Sequence, residues 1–206
     1  MRFDYRLHVF HSPRFQSVVD EAIEFFNQTP VRELPPPTSF VGTGVYALYY
    51  LSGFDLYTRV ARPNQEVQSQ PIYVGKAVPP GWRTARSQAT DAPVLYRRLQ
   101  EHSRSIDQAD NLEIDDFRCR FMILGDVESD LVVPVEAELI RRYSPLWNSV
   151  IDGFGNHDPG SGRYNQARSE WDVLHPGRPW VRKLTGESPR LEAVVNKVQR
   201  SLSGIS

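Results

Sequence analysis

Apolar and polar positions along this chain follow two distinct periods. Phe15, Val18, Val19, Ala22, Ile23 and Phe26 recur at i, i+3, i+4 and i+7, the stripe of an amphipathic helix. Ser12-Pro13 is expected to open it, with serine as the cap and proline at the first helical position. Pro30 and the run Pro35-Pro36-Pro37 end it and form a stiff connector, the expected boundary in this half of the chain. Strand formers then dominate 44–51 and 71–75. Residues 52–70 between them are polar and too long for a hairpin turn, which predicts a functional or mobile insertion. A loop over 75–92 precedes a helix over 93–105, for which Asp91 is the expected cap.

Phe117, Cys119, Phe121 and Ile123 alternate with Arg118, Arg120 and Met122, the period of a half-buried strand. Pro134 is expected to open a short helix that runs to Tyr143 and stops at Ser144-Pro145. Residues 152–168 are rich in glycine and poor in apolar side chains, and read as a loop. Ser188-Pro189 opens a last helix with Leu191, Val194, Val195, Val198 and Leu202 on one face. The order is one helix, then β-β-α-β-α, then a long tail ending in a helix. It predicts an α+β fold with a small antiparallel sheet flanked by helices.

Composition narrows the function. The 206 residues are 40 % hydrophobic, enough for one sizeable core. The apolar runs fall short of the ~20 residues of a membrane span. Arg2, Asp4 and Arg6 fall where a signal peptide needs apolar residues, and Cys119 is the one cysteine, so a cytoplasmic protein is expected. A net charge of −1 argues against holding nucleic acid by bulk charge. The charge is uneven, however. Lys76, Arg83, Arg86, Arg97, Arg98 and Arg104 form a basic stretch, and an acidic stretch runs from Asp107 to Glu138.

Five pieces of the middle segment carry possible chemistry. Tyr46 in Gly44-Val45-Tyr46 and Tyr73 in Tyr73-Val74-Gly75 each lie in a strand, with glycines that permit close approach. Arg98 and His102, four apart, share a helix face and pair a fixed cation with a proton carrier. Glu136 is a carboxylate on the face of Ile140 and Tyr143, able to hold Mg²⁺ or to serve as a first-turn acid. Asn148 follows Pro145 just past the helix stop.

In order and spacing these pieces resemble the GIY-YIG nuclease superfamily over about half of the chain. Within it, the histidine one turn after the arginine and Lys76 after the second signature resemble the type II restriction endonucleases that cut the palindrome CCGCGG. Two departures stand out: a spacer between the signatures longer than is typical, and Val45 where the family name has isoleucine. The resemblance implies a single nuclease domain over 1–206. Residues 1–40 would be an N-terminal helical extension, 41–150 the catalytic core with its insertion at 52–70, and 151–206 a C-terminal extension.

It further implies an Mg²⁺-dependent endonuclease, with Mn²⁺ as substitute, acting on double-stranded DNA as a homodimer. The expected catalytic set is Tyr46, Tyr73, Lys76, Arg98, His102, Glu136 and Asn148. Tyr46 or His102 serves as the base. Tyr73 binds the water or the phosphate, and Arg98 holds the phosphate. Glu136 holds the metal, and Asn148 orients the elements around it or contacts the backbone. Lys76 is the expected cation beside Tyr46. Arg163, Arg168, Arg178, Arg182 and Lys183 in the tail are candidates for reading bases. A nicking nuclease of repair or mobile elements, and a non-catalytic nucleic-acid-binding protein on the same fold, are the alternatives.

Overall fold

Gly44–Tyr50 (β2) buries all seven of its residues, which a strand can do only when both of its faces are covered. In the computed structural model, which describes residues 3–82 and 91–203, it lies within a four-stranded antiparallel sheet. The other strands are Arg32–Glu33 (β1), Tyr73–Ala77 (β3) and Phe117–Ile123 (β4), in the order β1-β4-β2-β3. Among the described residues the helices are Phe15–Gln28 (α1), Thr58–Asn64 (α2), Val94–Asp107 (α3), Val132–Tyr143 (α4), Leu146–Ser149 (α5), Glu170–Leu174 (α6) and Leu191–Ser203 (α7).

The period of two in β2 divides the core. Val45, Ala47 and Tyr49 pack with α1 and α4, while Tyr46, Leu48 and Tyr50 pack with α2, α3, α5, α6 and α7. The fold is therefore α+β, with the antiparallel sheet flanked by helices.

Several local expectations shift. α1 starts at Phe15 rather than at Pro13, with no side-chain cap. Only Val19, Ile23 and Phe26 of its stripe are buried. Phe15 is 52 % exposed and Val18 is exposed as well, because the helix rests on α4 and β4 by its later turns. Pro134 is the third residue of α4 rather than its opening, a position whose missing N–H costs nothing because first-turn donors lack helical partners anyway. Pro93, not Asp91, occupies the cap position of α3, and no side chain caps that helix.

The alternation in β4 fails at its end. Ile123 is 47 % exposed, and Met122 is buried against Val45 on the other apolar face. The chain before the triproline connector is tied to the sheet. Just before it β1 pairs with β4, Arg32 opposite Cys119, and Leu34 belongs to the core. Arg83 and Arg86 of the basic stretch lie outside the described residues.

The insertion is ordered rather than an open polar loop. It holds α2, and Tyr57, Val60 and Ala61 enter the core. Asn64 is fully buried and ties it back. Its Nδ2 donates to the carbonyls of Tyr50 (3.1 Å) and Gln70 (2.8 Å), and its Oδ1 accepts from the Gln70 amide (2.9 Å). A buried amide satisfied at both ends fixes a loop that composition alone would leave free.

Candidate active site

Tyr46 of β2 is paired in register with Gly75 of β3. That glycine is a steric requirement, since a Cβ there would stand 2.4 Å from the Tyr46 hydroxyl and 2.6 Å from its Cζ. The phenol thus passes over the neighbouring strand toward α3. There its hydroxyl meets His102 Nε2 at 2.5 Å, and His102 is 1 % exposed. Tyr73 closes the group, with ring centroids 6.2 Å from Tyr46 and 5.2 Å from His102.

Burial sets the charge states. It pushes the Tyr46 phenol well above the ordinary tyrosine range; Tyr73 adds to this, and Arg98 opposes it. Burial likewise drives His102 well below the ordinary histidine range, with Arg98 contributing. Both groups are therefore neutral near pH 7. The Tyr46 hydroxyl and His102 Nε2 share one hydrogen bond, and its donor follows the tautomer: with the ring proton on Nδ1, Nε2 accepts from the Tyr46 O–H. His102 is a buried neutral imidazole behind Tyr46 rather than a cationic neighbour of Arg98.

Arg98, one turn earlier on α3, reaches the same hydroxyl and is held from three sides. Its Nη1 donates to Glu101 at 2.8 Å and to His157 Nε2 at 2.5 Å, and its Nη2 donates to the Gly155 carbonyl at 3.2 Å. A guanidinium carries only donors, so the His157 nitrogen accepts.

By strand parity Lys76 points to the opposite side from Tyr73 and Gly75. There it pairs with Glu136 of α4. The expectation that Lys76 would lower the Tyr46 pKa is corrected: Arg98 is the cation at Tyr46, and Glu136 contributes to raising it. Asn148 contacts backbone. Its Oδ1 accepts from the Val74 amide at 2.7 Å, and its Nδ2 donates to the Val74 carbonyl at 2.8 Å. Because β3 is an edge strand, these bonds take the place of a further strand beside Tyr73.

The structure thus gathers Tyr46, Tyr73, Arg98 and His102 around one hydroxyl, with the Lys76–Glu136 pair at the strand edge and Asn148 behind β3. Sequence reasoning missed the tail's share. Phe154 stacks on His102 at 4.6 Å and 17°, and Gly155 and His157 touch Arg98. An apolar aromatic within the glycine-rich 152–168 was the available signal. Of the tail cations, Arg163, Arg168, Arg182 and Lys183 are exposed, but Arg178 is buried and bonded to Asp172, so it is not free to read bases.

Residues 38–202 match the family model of the Eco29kI GIY-YIG domain. The chain belongs to this family. No curated protein matches the sequence. An Eco29kI-type GIY-YIG domain is a restriction endonuclease fold, so the chain is a nuclease with DNA as its substrate. The match reaches well past residue 150, so the GIY-YIG domain includes the insertion and most of the tail that packs on His102.

The donor set suits one hard cation. Among the described residues, groups of three His, Cys, Asp or Glu that could enclose a metal are absent. Glu136 offers a single partly exposed carboxylate near Tyr46 and Tyr73. Mg²⁺ is commonly held by one or two carboxylates, with waters and substrate phosphate completing the shell.

Proposed function

We propose that this domain is a type II restriction endonuclease. It hydrolyses DNA phosphodiesters with Mg²⁺, or Mn²⁺ in its place, and cuts both strands at a short palindromic, GC-rich site. The observation that carries the reading is the buried Tyr46–His102 hydrogen bond with Arg98 at the same hydroxyl. A neutral imidazole can take the tyrosine proton as Tyr46 takes one from water, so a phenol of high pKa acts as base without being ionised beforehand. Arg98 holds the phosphate through its planar donor fork. Tyr73 orients the water or the phosphate. Glu136 would hold the metal, which would supply Lewis-acid stabilisation of the leaving 3′ oxygen. Lys76 pairs with that carboxylate. Asn148 keeps β3, and with it Tyr73, in place.

One such site cuts one strand, so a palindrome calls for a two-fold dimer. The exposed apolar side chains of the N-terminal segment, Phe3, Tyr5, Leu7, Phe10, Phe15 and Phe25, support this assembly. A cytoplasmic location accompanies the reading. Among the described residues, helices long and apolar enough to cross a membrane are absent.

The test is incubation with Mg²⁺ and plasmid DNA of known sequence, beside Glu136→Gln. Discrete double-strand fragments from wild type alone are expected. Nicks or a smear would retain the nuclease and reject the restriction role. The absence of cleavage across several DNAs and metals would reject the reading.

A further inference from the structure

The most completely bonded side chain in the tail lies away from the reacting groups. Arg178 is 1 % exposed. Its Nε donates to Asp172 Oδ1 at 2.7 Å, and its Nη2 lies 2.6 Å from the same oxygen. Nη2 also donates to the Gly153 carbonyl at 3.0 Å, and Nη1 donates to the carbonyls of Phe154 and Asn156, each at 3.1 Å. Trp171 and Trp180 face the guanidinium at 4.6 and 4.9 Å. Asp172 is anchored in turn by the Ser169 hydroxyl at 2.6 Å.

The guanidinium thus makes four hydrogen bonds and a close ion pair, and three of the acceptors are carbonyls from one short loop. A buried charge is costly unless fully bonded, and here the bonds define the path of 153–156. Gly153 takes a φ of +99°, which favours glycine, and a Cβ there would meet Ser169 at 2.0 Å.

That loop is the wall of the candidate site. Phe154 stacks on His102 and meets Tyr73 edge-on at 4.9 Å, and the Gly155 carbonyl accepts from Arg98. Gly155 fits closely, since a Cβ there would lie 3.0 Å from the Tyr73 hydroxyl and 3.2 Å from Arg98 Nη2.

We propose that Arg178 is a positioning residue for the nuclease site: by gathering the carbonyls of Gly153, Phe154 and Asn156, it seats Phe154 over His102 and Gly155 against Arg98. The role rests on the nuclease reading, but the seating of the loop can be measured without it.

The experiment compares wild type, Arg178→Ala and a core control, Val198→Ala, each in full-length protein well below its own melting temperature. Two quantities are read: kcat and KM for plasmid cleavage, and carbethoxylation of His102 by diethyl pyrocarbonate, located by peptide mass. For Arg178→Ala, a misplacement of about 1 Å predicts a kcat loss on the order of 100-fold with little change in KM. His102, protected in wild type, becomes modified. Val198→Ala is expected to lose stability yet keep both kcat and the protection.

Equal kcat losses in the two variants, an unchanged kcat in Arg178→Ala, or continued protection of His102 in that variant would each overturn the proposal. If Arg178→Ala does not fold, Asp172→Asn, which keeps the shape and weakens the anchor, is read against the same outcomes. If wild type cuts no DNA, the nuclease reading fails, and His102 protection alone decides the positioning role.

Discussion

The Tyr46 hydroxyl and His102 Nε2 lie 2.5 Å apart in a pocket sealed by Phe154. Burial acts on the two groups in opposite senses, raising the phenol's pKa and lowering the imidazole's. Both groups are therefore neutral, and the imidazole has one unprotonated nitrogen. Arg98 at the same oxygen is what makes an advancing negative charge tolerable there.

Tyr46→Phe keeps the ring that fills the space over Gly75 and removes only the hydroxyl. Plasmid cleavage is expected to fall about 10²- to 10⁴-fold, the range of a lost general acid–base group, with the circular dichroism unchanged. His102→Gln is expected to fall similarly. If both variants cut at the wild-type rate, the proton path is wrong.

The pH profile follows from the same pair. An ordinary histidine base would lose activity as pH falls through about 6.5. His102 stays neutral well below that value, so its acceptor nitrogen remains available. Cleavage at pH 6 is expected to match that at pH 7 at constant ionic strength. A rate that halves near pH 6.5 would show a solvent-exposed base instead.

Gly75→Ala should be among the most damaging single methyl additions. The new Cβ would stand 2.4 Å from the Tyr46 hydroxyl and 3.1 Å from Tyr73 Cε1, inside a sheet that cannot yield easily. Overpacking of this kind costs about 1–3 kcal/mol. Activity is expected to drop further than stability, because the displaced atom is the hydroxyl proposed as the base. Denaturant melts beside cleavage rates check this.

Asn148→Ala leaves the Val74 amide and carbonyl without their partners on an edge strand. Such a loss costs about 1–3 kcal/mol. A urea midpoint equal to that of wild type would show that water replaces the side chain at no cost.

A second tyrosine–histidine pair governs acid stability. His175 Nε2 meets the Tyr57 hydroxyl at 2.5 Å, Trp147 donates to that hydroxyl at 3.0 Å, and His175 Nδ1 meets Asn111 Oδ1 at 2.9 Å. Burial lowers the His175 pKa to about 3. The unfolded chain therefore takes up this proton first. The stability contributed is whole above about pH 6.5 and drains away as pH falls toward 3, by on the order of 1.4 kcal/mol per unit. His175→Gln is expected to be less stable at pH 7 and to show a shallower decline between pH 6.5 and 4 in urea melts.

The elements that carry chemistry were legible because their patterns are local. The strand 117–123 and the helix of Arg98 and His102 follow from periodicity, and the five motif pieces keep their order whatever surrounds them. The insertion and the edge strand Arg32–Glu33 were not legible, since each is fixed by distant partners. Asn64 reaches Tyr50 and Gln70, and Arg32 sits opposite Cys119. Pairing of that kind leaves no period in the sequence.

Arg178 shows the limit most clearly. In the sequence it is one tail cation among several, while in the structure it is the buried centre of the loop that covers His102. The sequence by itself determined the α+β order and the family, and it named the residue types that gather at the candidate site, because residue types at fixed local spacing encode these. Only the tertiary structure decided which nitrogen of His102 meets the Tyr46 hydroxyl, which carboxylate Lys76 meets and which glycine admits the phenol. Those depend on burial and on approach between segments far apart in the chain, where a few tenths of an ångström decide.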